Sequence, residues 1–204
     1  MSDQYHHGDL KNALIQAGIE ILSKDGLESL SLRSVAKRVG VSHAAPYAHF
    51  ADKEALIAAI AAAGYSKLYS QLATAQQRSA DPLTRLWHTA FAYLQFALDE
   101  PDHFRITFSG VVKAEKSYPE YVAQAQRCYA LVMGLVADCQ MKGLFTGEPL
   151  ELLTVSIWSS LHGFAQLVLA NQLPSALLNQ HSIHTIFRIH LQRILQVDTD
   201  QLDR

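Results

Sequence analysis

The stretch Ser31–Lys53, SLRSVAKRVGVSHAAPYAHFADK, decides how this chain reads. Leu32, Val35, Ala36 and Val39 recur at helical spacing and define one buried face, leaving Arg33, Lys37 and Arg38 pointing outward. Gly40 permits the left-handed backbone that ends a helix and turns the chain sharply. Ser42 is placed to cap a second short helix by accepting from its free backbone amides. Helix, glycine turn, helix is the helix-turn-helix layout, whose second helix enters the DNA major groove. The stretch points to a DNA-binding regulator.

The rest of the chain bounds that reading. At 204 residues it can form one large domain or two small ones, and its net charge of −2 gives no global basic field. The charge is instead sorted locally. Ser29–Lys53 carries four bases (Arg33, Lys37, Arg38, Lys53) against Asp52 alone, whereas Met1–Glu28 carries Lys11 and Lys24 against Asp3, Asp9, Glu20, Asp25 and Glu28. A compact positive patch on a near-neutral protein suits specific rather than indiscriminate DNA binding. Cys128 and Cys139 are the only cysteines. On one helix, their spacing separates them by about 16 Å, beyond disulfide reach, so buried reduced thiols are expected. No signal-peptide pattern opens the chain, and the longest apolar run, Ala55–Tyr65, is too short to span a bilayer. These features imply a soluble, cytoplasmic protein with no membrane partner.

Almost every segment reads helical. Leu10, Ala13, Leu14, Ala17, Ile21 and Leu22 form a first amphipathic helix stopped at Asp25-Gly26. Ser31 caps the second helix and Ser42 the third; Asp52 caps a long fourth helix running toward Gln76. Asp81-Pro82 opens a helix that stops near Glu100-Pro101, and a short one from Asp102 to Phe108 follows. A polar loop is expected over Lys113–Ser117, then helices over Pro119–Lys142, Pro149–Ala170 and Ile183–Leu195. The expectation is an all-α protein of about nine helices: an N-terminal three-helix head over residues 1–54 and a C-terminal bundle over 55–204. The last two helices carry apolar residues on two faces: Leu153, Ile157, Leu161 and Val168 against Trp158, Ala165 and Leu169, then Ile183, Phe187 and Ile194 beside Ile186 and Ile189. A second apolar face needs a second partner, which points to a twofold homodimer through these helices.

On these residues the chain resembles the TetR/AcrR family of transcriptional regulators. The resemblance runs from Tyr5 to about Leu56: the helix around Ala17 ending in Gly26, the segment SLRSVAKRVGVS, and Tyr47-Ala48-His49-Phe50 followed by Asp52-Lys53-Glu54. The opening Tyr5-His6-His7-Gly8-Asp9-Leu10 looks like a start found in one branch, and Trp158-Ser159-Ser160-Leu161-His162-Gly163 resembles that branch's C-terminal Trp–His–Gly signature. Between Ser66 and Leu150 only the helical layout matches.

In the third helix, Pro46 and Phe50 face the core, while Ala44, Ala45, Tyr47 and Ala48 cover the opposite side, with His43 at the exposed end. Three alanines neither donate nor accept through their side chains; they allow close approach and contact with thymine methyls. Polar base readout falls to His43 and Arg33, so shape dependence is expected. Pro46 stands where the family commonly has leucine, and it implies a tight, distorted helical turn. The resemblance implies phosphate contacts from Ser31, Ser42, Tyr47, His49 and Lys53, and Lys37 can reach a flanking phosphate. Each has a plain structural alternative: Tyr47 as packing, His49 as an internal hydrogen-bonded histidine, Lys53 as a solvated lysine.

The resemblance also implies a mostly apolar pocket in the C-terminal bundle, where a small apolar or amphipathic effector biases the dimer. Tyr65, Trp87, Phe91, Phe104, Phe108, Trp158 and His162 are its candidates, although aromatics at helical spacing are more often ordinary core. Trp158 and His162 either line the pocket or brace the helix packing. The function so implied is a ligand-responsive repressor, acting as a homodimer on a palindromic double-stranded operator. The alternatives are an activator of the same fold and a ligand-binding adaptor without DNA binding. No cofactor, metal or catalytic role is expected. The ten histidines include no helical pair with a carboxylate at ligand spacing, and neither a glycine-rich phosphate loop nor a serine elbow is present.

Overall fold

The computed structural model describes residues 10–112 and 118–196. The Tyr5–Asp9 part of the opening motif, with His6 and His7, and the polar loop expected over 113–117 lie outside the described residues. Among the described residues nine α-helices form and no strand: α1 (Leu10–Asp25), α2 (Leu32–Val39), α3 (Lys53–Ala75), α4 (Pro82–Asp99), α5 (Pro101–Thr107), α6 (Pro119–Met141), α7 (Leu150–Leu169), α8 (Ser175–Leu178) and α9 (Ile183–Leu195). Short 3₁₀ segments cover Leu27–Ser29, Ala45–Ala48 and Gln76–Arg78. The third of the expected helices is thus a four-residue 3₁₀ turn, and α8 is an addition.

Three of the start signals, Ser31, Asp52 and Asp81, act as read. Ser31 accepts from the Ser34 amide at 3.0 Å while the Ser31 amide donates to Ser34 Oγ at 2.8 Å, a reciprocal capping box. Asp52 Oδ1 accepts from the Ala55 amide, and Asp81 from that of Thr84. Gly26, Gly40 and Gly143 all take positive φ, and Gly40, at φ 81°, closes α2 with its amide on the Ala36 carbonyl.

The chain forms two compact units, one comprising residues 1–67 and 102–125, the other 68–101 and 126–204. The core of the first is built on Leu14, Leu30, Val35, Phe50, Leu56 and Ile60. Tyr65 joins it through edge-on contacts with Phe108 and Tyr121, at centroid distances of 5.4 and 5.7 Å, and Phe104 sits 4.9 Å from Phe108. In the second unit, Phe187 is packed between Phe91 and Phe164 at 5.1 and 5.0 Å. Arg85 pairs with Asp138 at 3.0 Å and with Gln76 at 3.2 Å. Cys128 and Cys139 are buried free thiols on α6, and burial pushes them up to about 12 and about 11.

α7 bears on two expectations and corrects one of them. By length and composition it is apolar enough to cross a membrane, although its serines and Thr154 break the unbroken run the sequence was searched for. Six of its residues, among them Leu153, Ile157 and Leu161, are buried within the unit. Its outward apolar residues are Leu152, Val155 and Leu167, not Trp158, Ala165 and Leu169: Ala165 is fully buried and the other two are half-buried.

Candidate nucleic-acid interface and effector cavity

Leu32, Val35 and Ala36 bury one side of α2 and turn Arg33 and Lys37 to solvent, with no side-chain partner for either among the described residues. Arg38 is different. It is held by Glu20 at 3.3 Å and Asp25 at 3.5 Å, so it fastens α2 to α1 and its charge is neutralised locally.

The segment after Gly40 departs from a regular recognition helix. Ser42 does not cap it; the residue before the 3₁₀ turn is Ala44, and it makes no side-chain cap. The Ala45 amide donates to the Ser42 carbonyl at 3.0 Å and the Tyr47 amide to the Ala44 carbonyl at 3.2 Å, so backbone oxygens take the amides a cap would have met. Pro46 has no amide to give, which keeps the turn tight. Pro46 and Phe50 are buried; His43, Ala44, Tyr47, Ala48 and His49 are exposed, and Ala45 is half-buried. Tyr47 stands 55% exposed, a large value for an aromatic ring.

The remaining candidates sit at helix starts. The Ser31 hydroxyl is engaged in the capping box, and Ser42 is exposed. Lys53, the first residue of α3, donates from Nζ to the Leu27 carbonyl at 2.7 Å, a tether the spacing did not reveal. His49 borders an open groove of about 200 Å³ together with Lys11 and Glu120, themselves paired at 3.3 Å.

The effector candidates do not come together. Tyr65, Phe104 and Phe108 are core residues of the first unit; Trp87 and Phe91 pack on each other at 5.4 Å, with Phe91 also against His184. Trp158 alone of the seven lines the apolar cavity of the second unit, a slot of about 30 Å³ walled by Leu68, Leu72, Leu86, Leu161, Tyr129 and Trp158. Thr89 and Tyr93, one turn apart on α4, also line it. His162 lies behind Tyr93, whose hydroxyl meets its Nδ1 at 2.7 Å, and Gln166 reaches its Nε2 at 3.2 Å. Burial holds the His162 imidazole below its usual range. The sequence reading missed Thr89 and Tyr129. Their signal was the shared helical register of Thr89 with Tyr93, which an aromatic count passes over.

A helix-turn-helix unit with an exposed basic α2 face, followed by a long helical region, defines the class of DNA-binding transcriptional regulators, and comparison with known proteins agrees. Residues 14–60 match the profile of bacterial regulatory proteins of the tetR family, and residues 86–194 match the tetracyclin repressor-like C-terminal domain. The chain belongs to the TetR family of transcriptional regulators. The HTH-type transcriptional regulator YobS of Bacillus subtilis is 25% identical over 163 residues, covering 79% of this chain and 80% of that protein. The class A tetracycline repressor of transposon 1721 from Escherichia coli is 40% identical over 52 residues, 26% of this chain and 24% of that one. Among solved structures, a Rhodococcus sp. RHA1 protein superposes with TM-score 0.78 at 26% identity, covering 96% of this chain and 98% of its own. The fatty acid degradation regulator FadR of Bacillus halodurans shares the fold at TM-score 0.75 and 13% identity, over 93% and 96% of the two chains.

Proposed function

We propose that this TetR-family regulator is a cytoplasmic, ligand-responsive repressor whose homodimer binds a palindromic operator. Residues 1–54 serve as the reading head and residues 55–204 as the effector-binding and dimerising part. The observation that carries the reading is the outward surface of His43, Ala44, Tyr47 and Ala48, set over buried Pro46 and Phe50 and flanked by unpaired Arg33 and Lys37. Arg33 and His43 supply polar base readout, and the alanines allow close approach to thymine methyls. Ser31, Ser42, Tyr47, His49, Lys37 and Lys53 supply phosphate contacts that fix register. With Ser31 and Lys53 already holding backbone partners, their contacts come from preset positions. A four-residue 3₁₀ turn offers few donors, which supports substantial reading of DNA shape.

Homodimerisation is supported by the outward apolar residues of α7. Two half-sites on one DNA face need reading heads about 34–36 Å apart. An effector that prefers a dimer of different spacing weakens operator binding by its differential affinity, typically about 1–3 kcal/mol.

Selection of random duplexes by the purified protein, followed by gel shifts on the DNA upstream of its own coding region, tests this. A palindromic consensus is expected. Lys53→Ala should weaken binding across sequences and lower the salt dependence by about one counterion, whereas His43→Ala should change base preference. An unchanged preference in His43→Ala refutes the groove orientation; failure to bind any duplex at low salt refutes the function.

A further inference from the structure

The turn that follows Gly40 has little polar reach. Its 3₁₀ segment, Ala45–Ala48, rises about 2 Å per residue and so lies along only about two to three base pairs. Pro46 and Phe50 close it against the core, so no second turn brings longer side chains over the same bases. Ala44 and Ala48, at its two ends, are exposed and present one methyl group each. The backbone adds few donors. The Ala45 amide is spent on the Ser42 carbonyl at 3.0 Å, that of Tyr47 on Ala44 at 3.2 Å and that of His49 on Pro46 at 2.9 Å, while Pro46 has no amide.

In the major groove thymine presents an O4 acceptor and a C5-methyl group, whereas cytosine presents an N4 donor and no methyl. A protein donor would tell the O4 from the N4, and at Ala44 and Ala48 neither the side chains nor those spent amides supply one. Apolar contact remains, and it answers to the methyl group alone. 5-Methylcytosine carries the same group on the same ring carbon.

We propose that Ala44 and Ala48 read the C5-methyl group alone, so that the protein accepts thymine and 5-methylcytosine interchangeably opposite them and its binding there responds to cytosine methylation. This deepens the groove-reading role proposed above and rests on it. Arg33 and His43 carry donors and keep their discrimination, so the interchange is confined to the alanine positions.

The test takes the operator selected from random duplexes and replaces each thymine in turn, symmetrically in both half-sites. The replacements are uracil, which is thymine without its methyl, cytosine paired with guanine, and 5-methylcytosine paired with guanine. Binding to the full-length protein and to its Ala44→Gly and Ala48→Gly variants is followed by fluorescence anisotropy. At one or more positions per half-site, uracil and cytosine are each expected to weaken binding about 15-fold, about fourfold per methyl lost, and 5-methylcytosine to restore it to within about twofold. The glycine variant that removes the contacting methyl should bind the uracil operator as the unchanged protein does, which reports an intact turn, and should no longer distinguish uracil from thymine. The series on the unchanged protein decides the matter even where a variant fails to fold. Tolerance of uracil at every thymine, 5-methylcytosine binding as weakly as cytosine at each uracil-sensitive position, or uracil sensitivity that persists in both glycine variants overturns the proposal while duplex binding stands. Failure to bind any duplex at low salt removes the groove-reading role and the proposal together.

Discussion

At the scale of single residues, Thr89, His162 and His190 of the second unit are held away from their preferred states. A buried hydroxyl without a partner costs about 1–3 kcal/mol relative to one that is satisfied. Thr89→Val keeps the shape and removes that cost, so the apo protein should gain about 1 kcal/mol and melt roughly 2–4 °C higher, as calorimetry would show. An unchanged or lower melting point would mean that Thr89 Oγ1 is satisfied in solution. The half-buried histidines act in the other direction. His162 and His190 are both lowered from 6.5, chiefly by burial, with a hydrogen bond to Ser160 partly opposing it at His190. The unfolded chain therefore takes up these protons first as pH falls. The stability they confer is complete above about pH 6.5 and is lost as pH drops through their folded values. Melting temperature should fall below pH 6.5, and His162→Gln with His190→Gln should flatten that slope.

At the scale of elements, the helix starts were legible because each cap is a local bond between residues three apart: Ser31 with Ser34, Asp52 with Ala55, Asp81 with Thr84. Pro46 likewise announced its tight turn, since a missing amide is a property of the residue itself. Ser42 misled because a cap requires free amides next to it, and the turn carbonyls of Ser42 and Ala44 had taken them. What no local pattern reveals is how closely two helices approach. A Cβ on Gly64 of α3 would collide with the Thr107 hydroxyl and come within 3.3 Å of its Cβ on α5. Gly18 of α1 would meet only the terminal methyl of Ile60, at 2.7 Å. Gly64→Ala should destabilise the protein by about 1–3 kcal/mol in urea unfolding, because a β-branched residue has few rotamers with which to retreat. Gly18→Ala should cost less: the Ile60 side chain can move, and alanine returns up to about 1 kcal/mol of helix propensity.

At the scale of the whole molecule, the aromatic residues were the least legible feature. Tyr65, Trp87, Phe104 and Trp158 have the same periodic signature, yet only Trp158 lines the cavity, since which aromatic reaches which space is settled by contacts distant in sequence. The outward face of α7 is a firmer guide to assembly. Leu152, at 60% exposed, Val155 and Leu167 share it with Ser156, Ser159 and Gly163, whose small side chains would let a second helix come close. Large apolar groups clustered on one helix in this way mark an interaction surface more than chance exposure does. Met141, on α6 and more exposed still, is on a different helix and serves as the control. Val155→Arg should convert the proposed homodimer to a monomer in sedimentation equilibrium while leaving helical content unchanged. Because a second tethered reading head multiplies affinity by about 10²–10⁴, the same change should lower affinity for the full palindrome at least about 100-fold. Affinity for an isolated half-site should hardly move. Met141→Arg should alter neither quantity; if both arginine variants stay dimeric, the twofold contact lies on another surface.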